Sequence, residues 1–290
     1  MSATTENHGH EHGRHHLHAA HSGSGDPTQT LTLRQEFAQR LRGILARINA
    51  ELRRGIVERD ALGLRDGQLQ AARKPDPLPD VSAERRAEVI TTVREWLTEQ
   101  LRKARIEVFT AEEISYIRAA YERGLQHADG ALTDADATAP EMSVAASMQL
   151  PVHRDQLQTL YTRVVNEWDG LTSELNQAVA RELADGLDQG ENPTDIARSI
   201  SDRIEKIGKT RATTLARTEI IRSHASATLN RYSQAGVDTV VGEAELQTAD
   251  DDRVCPICEG LDGNVYSVAE ARGIIPVHPQ CRCAWLPVIG

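Results

Sequence analysis

Cys255-Pro256-Ile257-Cys258 sets two thiols two residues apart, and after nineteen intervening residues His278-Pro279-Gln280-Cys281-Arg282-Cys283 offers an imidazole and two further thiols. Thiolates at this spacing on a tight turn converge on one divalent ion about 2.3 Å from each sulfur, and a distant second cluster completes a tetrahedron and closes the loop between them. The predicted chemistry is zinc binding. Five candidates compete for four positions, so the spacing assigns Cys255, Cys258, His278 and one of Cys281 or Cys283 without choosing between the last two. Disulfides or free thiols are the alternative. All four cysteines fall within the last 36 residues, and a chain without the apolar core of a secretory signal is expected in a reducing cytosol, where such clusters more often hold metal. Catalytic zinc keeps a position open for water, whereas ligands are in surplus here, which predicts a closed structural site and no enzyme.

Other residue groups carry less. Asp250, Asp251 and Asp252 could form a carboxylate metal site for phosphodiester chemistry, but such a run reads more simply as a turn with a solvated acidic face. His278 could act as the general base of a zinc-dependent nuclease of the His-Asn-His kind. That reading lacks a second histidine nearby, since His153 and His224 lie far upstream and are expected on helix surfaces. Arg217 and Glu219, two residues apart on a helix, point in different directions; they either anchor the helical part to the cysteine region or are solvated charges. Arg282, between two cysteines, is expected to act through the metal site's surroundings, by offsetting thiolate charge or facing a partner. Trp96, Trp168 and Trp285 read as packing residues.

The elements that position these groups are mostly helices. Phe37, Leu41, Ile44, Ile48, Leu52 and Ile56 recur at three and four and make one apolar stripe. Lys74-Pro75-Asp76-Pro77-Leu78-Pro79 breaks it. A second stripe begins at Val89 behind a Ser82 cap, and Thr110 with Glu113 reads as a capping box for a third helix. Residues 131–152 lack a period and read as a linker. Leu157 to Val179 form another stripe, Asn192-Pro193 starts the next helix, and after Gly208 a further helix is expected from about Thr210 to Gln234. Val237 to Leu246 reads as a strand leading into the cysteines.

The whole therefore reads as mainly α, an extended helical body with a small C-terminal α+β zinc-knuckle module. The parts are a disordered His-rich tail (1–27), an N-terminal helical region (28–130), the linker (131–152), a second helical part (153–236) and the zinc-binding module (237–290). Aromatic residues make up 3% of the chain against 39% hydrophobic, which suits Leu, Ile and Ala packing between helices. The net charge of −10 argues against a surface that coats nucleic acid, so any DNA contact would be local. No stretch is long and apolar enough to span a bilayer.

The run Ala216-Arg217-Thr218-Glu219, then Thr248 through Cys258, Leu261-Asp262-Gly263, Val265-Tyr266 and Pro276 through Cys283, resembles the phage Mu F-like head-morphogenesis family. The resemblance covers about residues 183–290, with Leu246 standing where many members carry tryptophan. It implies a non-enzymatic minor head protein of the virion, associated with the portal vertex and procapsid and present in host cytoplasm during assembly. Its implied partners are the portal protein and the major capsid or scaffold proteins, with no membrane. Arg217, Glu219, Asp251, Arg253 and Arg282 fall in the matching motifs and are the candidate structural or interaction residues. The competing functions are the zinc-dependent nuclease and a host-encoded metal-sequestering protein, the latter prompted by the histidines of the tail.

Overall fold

A computed structural model describes residues 25–59, 82–109, 115–138, 140–236 and 242–289, with the side chains of 107 and 108 left aside. The His-rich tail up to residue 24, the proline-rich breaker, the Thr110–Glu113 capping box and the first residues of the expected strand lie outside these segments.

Among the described residues seven helices build the body: α1 (Leu31–Val57), α2 (Ala83–Val108), α3 (Ser115–Asp134), the short α4 (Val144–Ser147), α5 (Pro151–Asp188), α6 (Pro193–Ile207) and α7 (Thr213–Gln234). The apolar stripe of α1 is buried as its spacing requires, Phe37, Leu41, Ile44, Ile48, Leu52 and Ile56 all lying inside. Ser82 caps α2 by accepting from the Arg85 amide at 3.3 Å, and Asn192 caps α6 through the amides of Thr194 and Asp195, both at 3.0 Å. These helices share one core, in which Trp168, Leu41, Leu97 and Ile200 are fully enclosed.

Gly208 does not end a helix. It stays in the right-handed region, and Gly208–Ala212 form a π-helical turn that carries α6 into α7. The glycine serves packing instead: a Cβ there would meet Leu45 Cδ1 of α1 at 3.1 Å, so its absence lets α1 approach. The segment 131–152 is more structured than its composition suggests, because Arg231 of α7, 1% exposed, reaches into it. It binds Asp129 through two nitrogens (2.6 and 3.0 Å) and donates to Ser147 Oγ (2.6 Å) and the Met142 carbonyl (2.8 Å). A buried charge held by this many acceptors fixes the chain around it.

The C-terminal module is a three-stranded antiparallel sheet in the order β2-β1-β3, with β1 (Glu243–Gln247) between β2 (Val265–Ser267) and β3 (Ala284–Val288). Two one-turn helices, α8 (Pro256–Glu259) and α9 (Val268–Ala271), sit in the connections. The module does not fill its interior alone. Leu246, Trp285 and Val268 pack with Ala128 and Leu132 of α3 and Ile221, Ala225 and Leu229 of α7 in a second core. Tyr232 of α7 seals the joint, its hydroxyl donating to the Trp285 carbonyl at 3.0 Å. The module thus borrows apolar surface from the helices and is one body with them.

Candidate metal centre

Both halves of the centre sit in connections of this sheet. The β1–β2 connection carries Cys255 and Cys258. Cys255 caps α8, its sulfur accepting from the Cys258 amide at 3.4 Å, and Pro256 opens the turn, which turns both thiols the same way. The β2–β3 connection carries His278, Cys281 and Cys283, and β3 starts directly after the last of them.

The five expected ligands come together. The ligand atoms of Cys255, Cys258 and His278 lie within 4.8 Å of one another, as do those of Cys258, Cys281 and Cys283, so Cys258 belongs to both groups. His278 Nε2 is 3.1 Å from each of the Cys255 and Cys258 sulfurs, while Nδ1 is 2.7 Å from the Pro279 carbonyl. A carbonyl only accepts, so Nδ1 carries the proton and the Nε2 lone pair faces the thiols. This is the tautomer a metal-ligating histidine needs, with its other nitrogen held by a backbone oxygen. An ion held there would occupy that lone pair, the one a general base would need.

Burial and hydrogen bonding split the thiols. Backbone and side-chain hydrogen bonds from Cys258 hold Cys255 below its ordinary value, while burial pushes Cys258 up to about 12. The Cys283 thiol hydrogen-bonded to Cys281 draws Cys281 down to about 5, and the same bond pushes Cys283 up. Four soft sulfurs and one imidazole, largely withdrawn from water, can take a thiophilic divalent ion; the cluster is a possible metal-binding site.

The acidic turn is tied to the cluster and is not a solvated face throughout. Asp251 accepts from Arg282 at 2.5 and 2.7 Å and from Arg253 at 2.6 Å. These cations hold its carboxyl well below the usual range, Arg282 contributing most. Arg282 also donates to the Gly25 carbonyl at 2.9 Å, which brings the segment before α1 against the module. That segment is anchored by Asp26, which pairs with the buried Arg34, a group the sequence did not single out. Arg217 donates to Gln280 at 2.6 Å, between His278 and Cys281, and so touches the loop that carries the second half of the cluster. Glu219 does not: it is 1% exposed and pairs with Arg163 of α5 at 3.2 Å and Arg222 at 3.5 Å, with its pKa raised by burial.

Two histidines expected on helix surfaces are fully buried. His153 accepts the Tyr121 hydroxyl or donates to it at 2.9 Å, and Asn230 donates to the same hydroxyl at 2.9 Å. His224 is enclosed between α7 and α3, its ring 5.0 Å from that of His127, and neither of its nitrogens has a hydrogen-bond partner among the described residues. His224 reads as surface because α7 is covered on nearly every face, so its sequence has little apolar periodicity to reveal which side is inside, whereas His153, in the first turn of α5, is covered by Tyr121 of α3 and Gln234 of α7.

Fold and site define a mainly helical protein closed by a sheet-borne Cys/His module. Residues 177–286, from the second half of α5 to β3, match the family model described as Phage Mu protein F like protein, which bears out the resemblance read from the terminal motifs. The matched span contains all five cluster residues together with Arg217, Glu219, Asp251, Arg253 and Arg282. No curated protein and no solved structure matches the chain.

Proposed function

We propose that this chain is a minor head protein acting in phage head morphogenesis at the portal vertex and procapsid, and that its Cys/His centre holds one structural zinc ion. The family match over 177–286 carries the first part of the reading. Among the described residues no helix is long and apolar enough to cross a membrane, which accords with a place in the head. For the zinc, the sulfur-rich donor set and the His278 tautomer support the choice of metal. Cys255, Cys258 and His278 would hold it with one of Cys281 or Cys283; the ion, when bound, adds a covalent-strength tie between the two sheet connections. The protein's own residues supply the rest, Asp251 and Arg282 bridging the connections and Arg217 bracing the metal loop from α7.

Two measurements test this. Elemental analysis of purified protein is expected to give one zinc per chain, falling to background in Cys258→Ser, and absence of metal would refute the second part. Purified heads and the neighbouring portal protein are expected to retain the chain; its absence from both would refute the first. The nuclease reading gains no support from a His278 whose ring nitrogens are both engaged.

A further inference from the structure

A trough runs along the seam between the helical body and the C-terminal module. It consists of two clefts, of about 300 and 240 Å³, that adjoin at Arg163 of α5 and Arg222 of α7. Its floor follows one face of the helix from Arg211 to Leu229, eighteen steps along the chain or about 27 Å at 1.5 Å per residue. Its far wall is the 271–279 segment, which ends beside the metal loop.

Two features of this trough point to an occupant. Its charge is opposite to that of the molecule: Arg211, Arg163, Arg222 and Arg272 line it against Glu167 and Glu219, in a chain of net charge −10. It also gathers polar atoms that have no hydrogen-bond partner among the described residues: Thr218 Oγ1, Glu219 Oε2, Arg222 Nε and the indole nitrogen of the fully buried Trp285. Glu219 Oε2 and Arg222 Nε face each other at 3.5 Å without hydrogen-bond alignment. Buried polar atoms left unpaired are costly, and four in the walls of one trough suit a ligand that brings its own donors and acceptors.

We infer that the trough is the docking site for an extended, acid-bearing polypeptide segment of another head protein, and this rests on the head-protein reading above. A peptide backbone offers carbonyls to Arg222 and Trp285 and amides to Glu219, and about eight extended residues span 27 Å at roughly 3.3 Å each. Carboxylate side chains complement the four arginines. A phosphodiester strand fits less well, since its backbone has no donor for the buried Glu219 carboxylate and would be repelled by it.

The test places a photo-crosslinking amino acid in the full chain at Thr159 or Thr214, both in the trough, and at Glu95 on α2 as a control, then irradiates assembled heads. Thr159 and Thr214 are expected to crosslink to one stretch of a second head polypeptide rich in Asp or Glu, at least fivefold above Glu95. Adding Arg211→Glu, an exposed arginine outside both cores, is expected to reduce that yield severalfold. Crosslinks to DNA, crosslinks no stronger than the control, or a yield unchanged by Arg211→Glu would each overturn the inference while leaving the head-protein reading intact. Absence of the chain from purified heads would overturn the reading and the inference together.

Discussion

Arg282 grips Asp251 with two nitrogens, at 2.5 and 2.7 Å, and so joins the two sheet connections that carry the cysteines by a bond independent of any metal. Asp251 precedes the first cysteine pair and Arg282 stands inside the second, so the pair holds the two halves of the Cys/His cluster against each other. The same guanidinium holds Gly25, which makes it the point where the start of the described chain meets its last module.

Asp251→Asn should therefore lower the melting temperature at neutral pH. The folded-state pKa of Asp251 is depressed, so its contribution is complete above the unfolded value of about 3.9 and is lost as pH falls through the lower folded value. Paired melts of wild type and variant, both in chelator so that metal loss cancels, should differ at pH 7 and converge in strong acid. A gap that stays constant across this range would rule out the ion pair as its source.

His224 acts with the same sign in a higher pH window. Burial holds its pKa well below 6.5, with the nearby His127, Arg34 and Arg123 adding to the effect, and His153 shifts the same way. The unfolded chain takes up these protons first, so stability is complete above about pH 6.5 and declines as pH falls below it. Urea titrations at pH 7 and pH 5 should show a smaller decline in His224→Leu than in the wild type; equal declines would contradict the assignment.

Tyr121 stands at the middle of a buried chain that runs from His153 through its hydroxyl to Asn230, and on to Arg272 of the module at 2.7 Å from Asn230 Oδ1. Burial pushes the Tyr121 hydroxyl up to about 12, so it remains a donor throughout the working range. Tyr121→Phe strands two buried polar groups and should cost about 1–3 kcal/mol. Denaturant midpoints decide it, and an effect under half a kcal/mol would mean the chain is not a structural unit.

Two glycines of α3 should answer oppositely to alanine. A Cβ at Gly124 would press on the His224 carbonyl and stand 2.8 Å from the Ala227 Cβ, both on α7, so Gly124→Ala should destabilise by about 1–3 kcal/mol. Gly130 has nothing within 4 Å, and Gly130→Ala should stabilise by about 0.5–1 kcal/mol through helix propensity. Equal responses would mean that α3 and α7 do not meet at this distance.

Much of the site was legible because it follows local rules. Zinc spacing needs only residue types and intervals, and the Ser82 and Asn192 caps need only a polar side chain before an apolar period. What escaped depends on contacts between distant segments. His153 and His224 looked superficial because polarity suggests exposure, yet Tyr121 of α3 and Gln234 of α7 cover the first and His127 of α3 lies against the second. Asp251 looked solvated because its guanidinium partner lies 31 positions away. Gly208 marked the boundary between two expected helices, whereas the chain runs through it in a π-helical turn and the glycine makes room for Leu45.

The widened turn at Gly208–Ala212 inserts a residue into a helix without inserting a turn. With about 100° between successive side chains, that single residue sets the azimuth of all of α7. Removing one amino acid there would let the helix run regular and still leave its length nearly unchanged. It would also swing Arg217 off the metal loop and carry Glu219 out of its buried place, uncoupling the body from its last module by rotation alone.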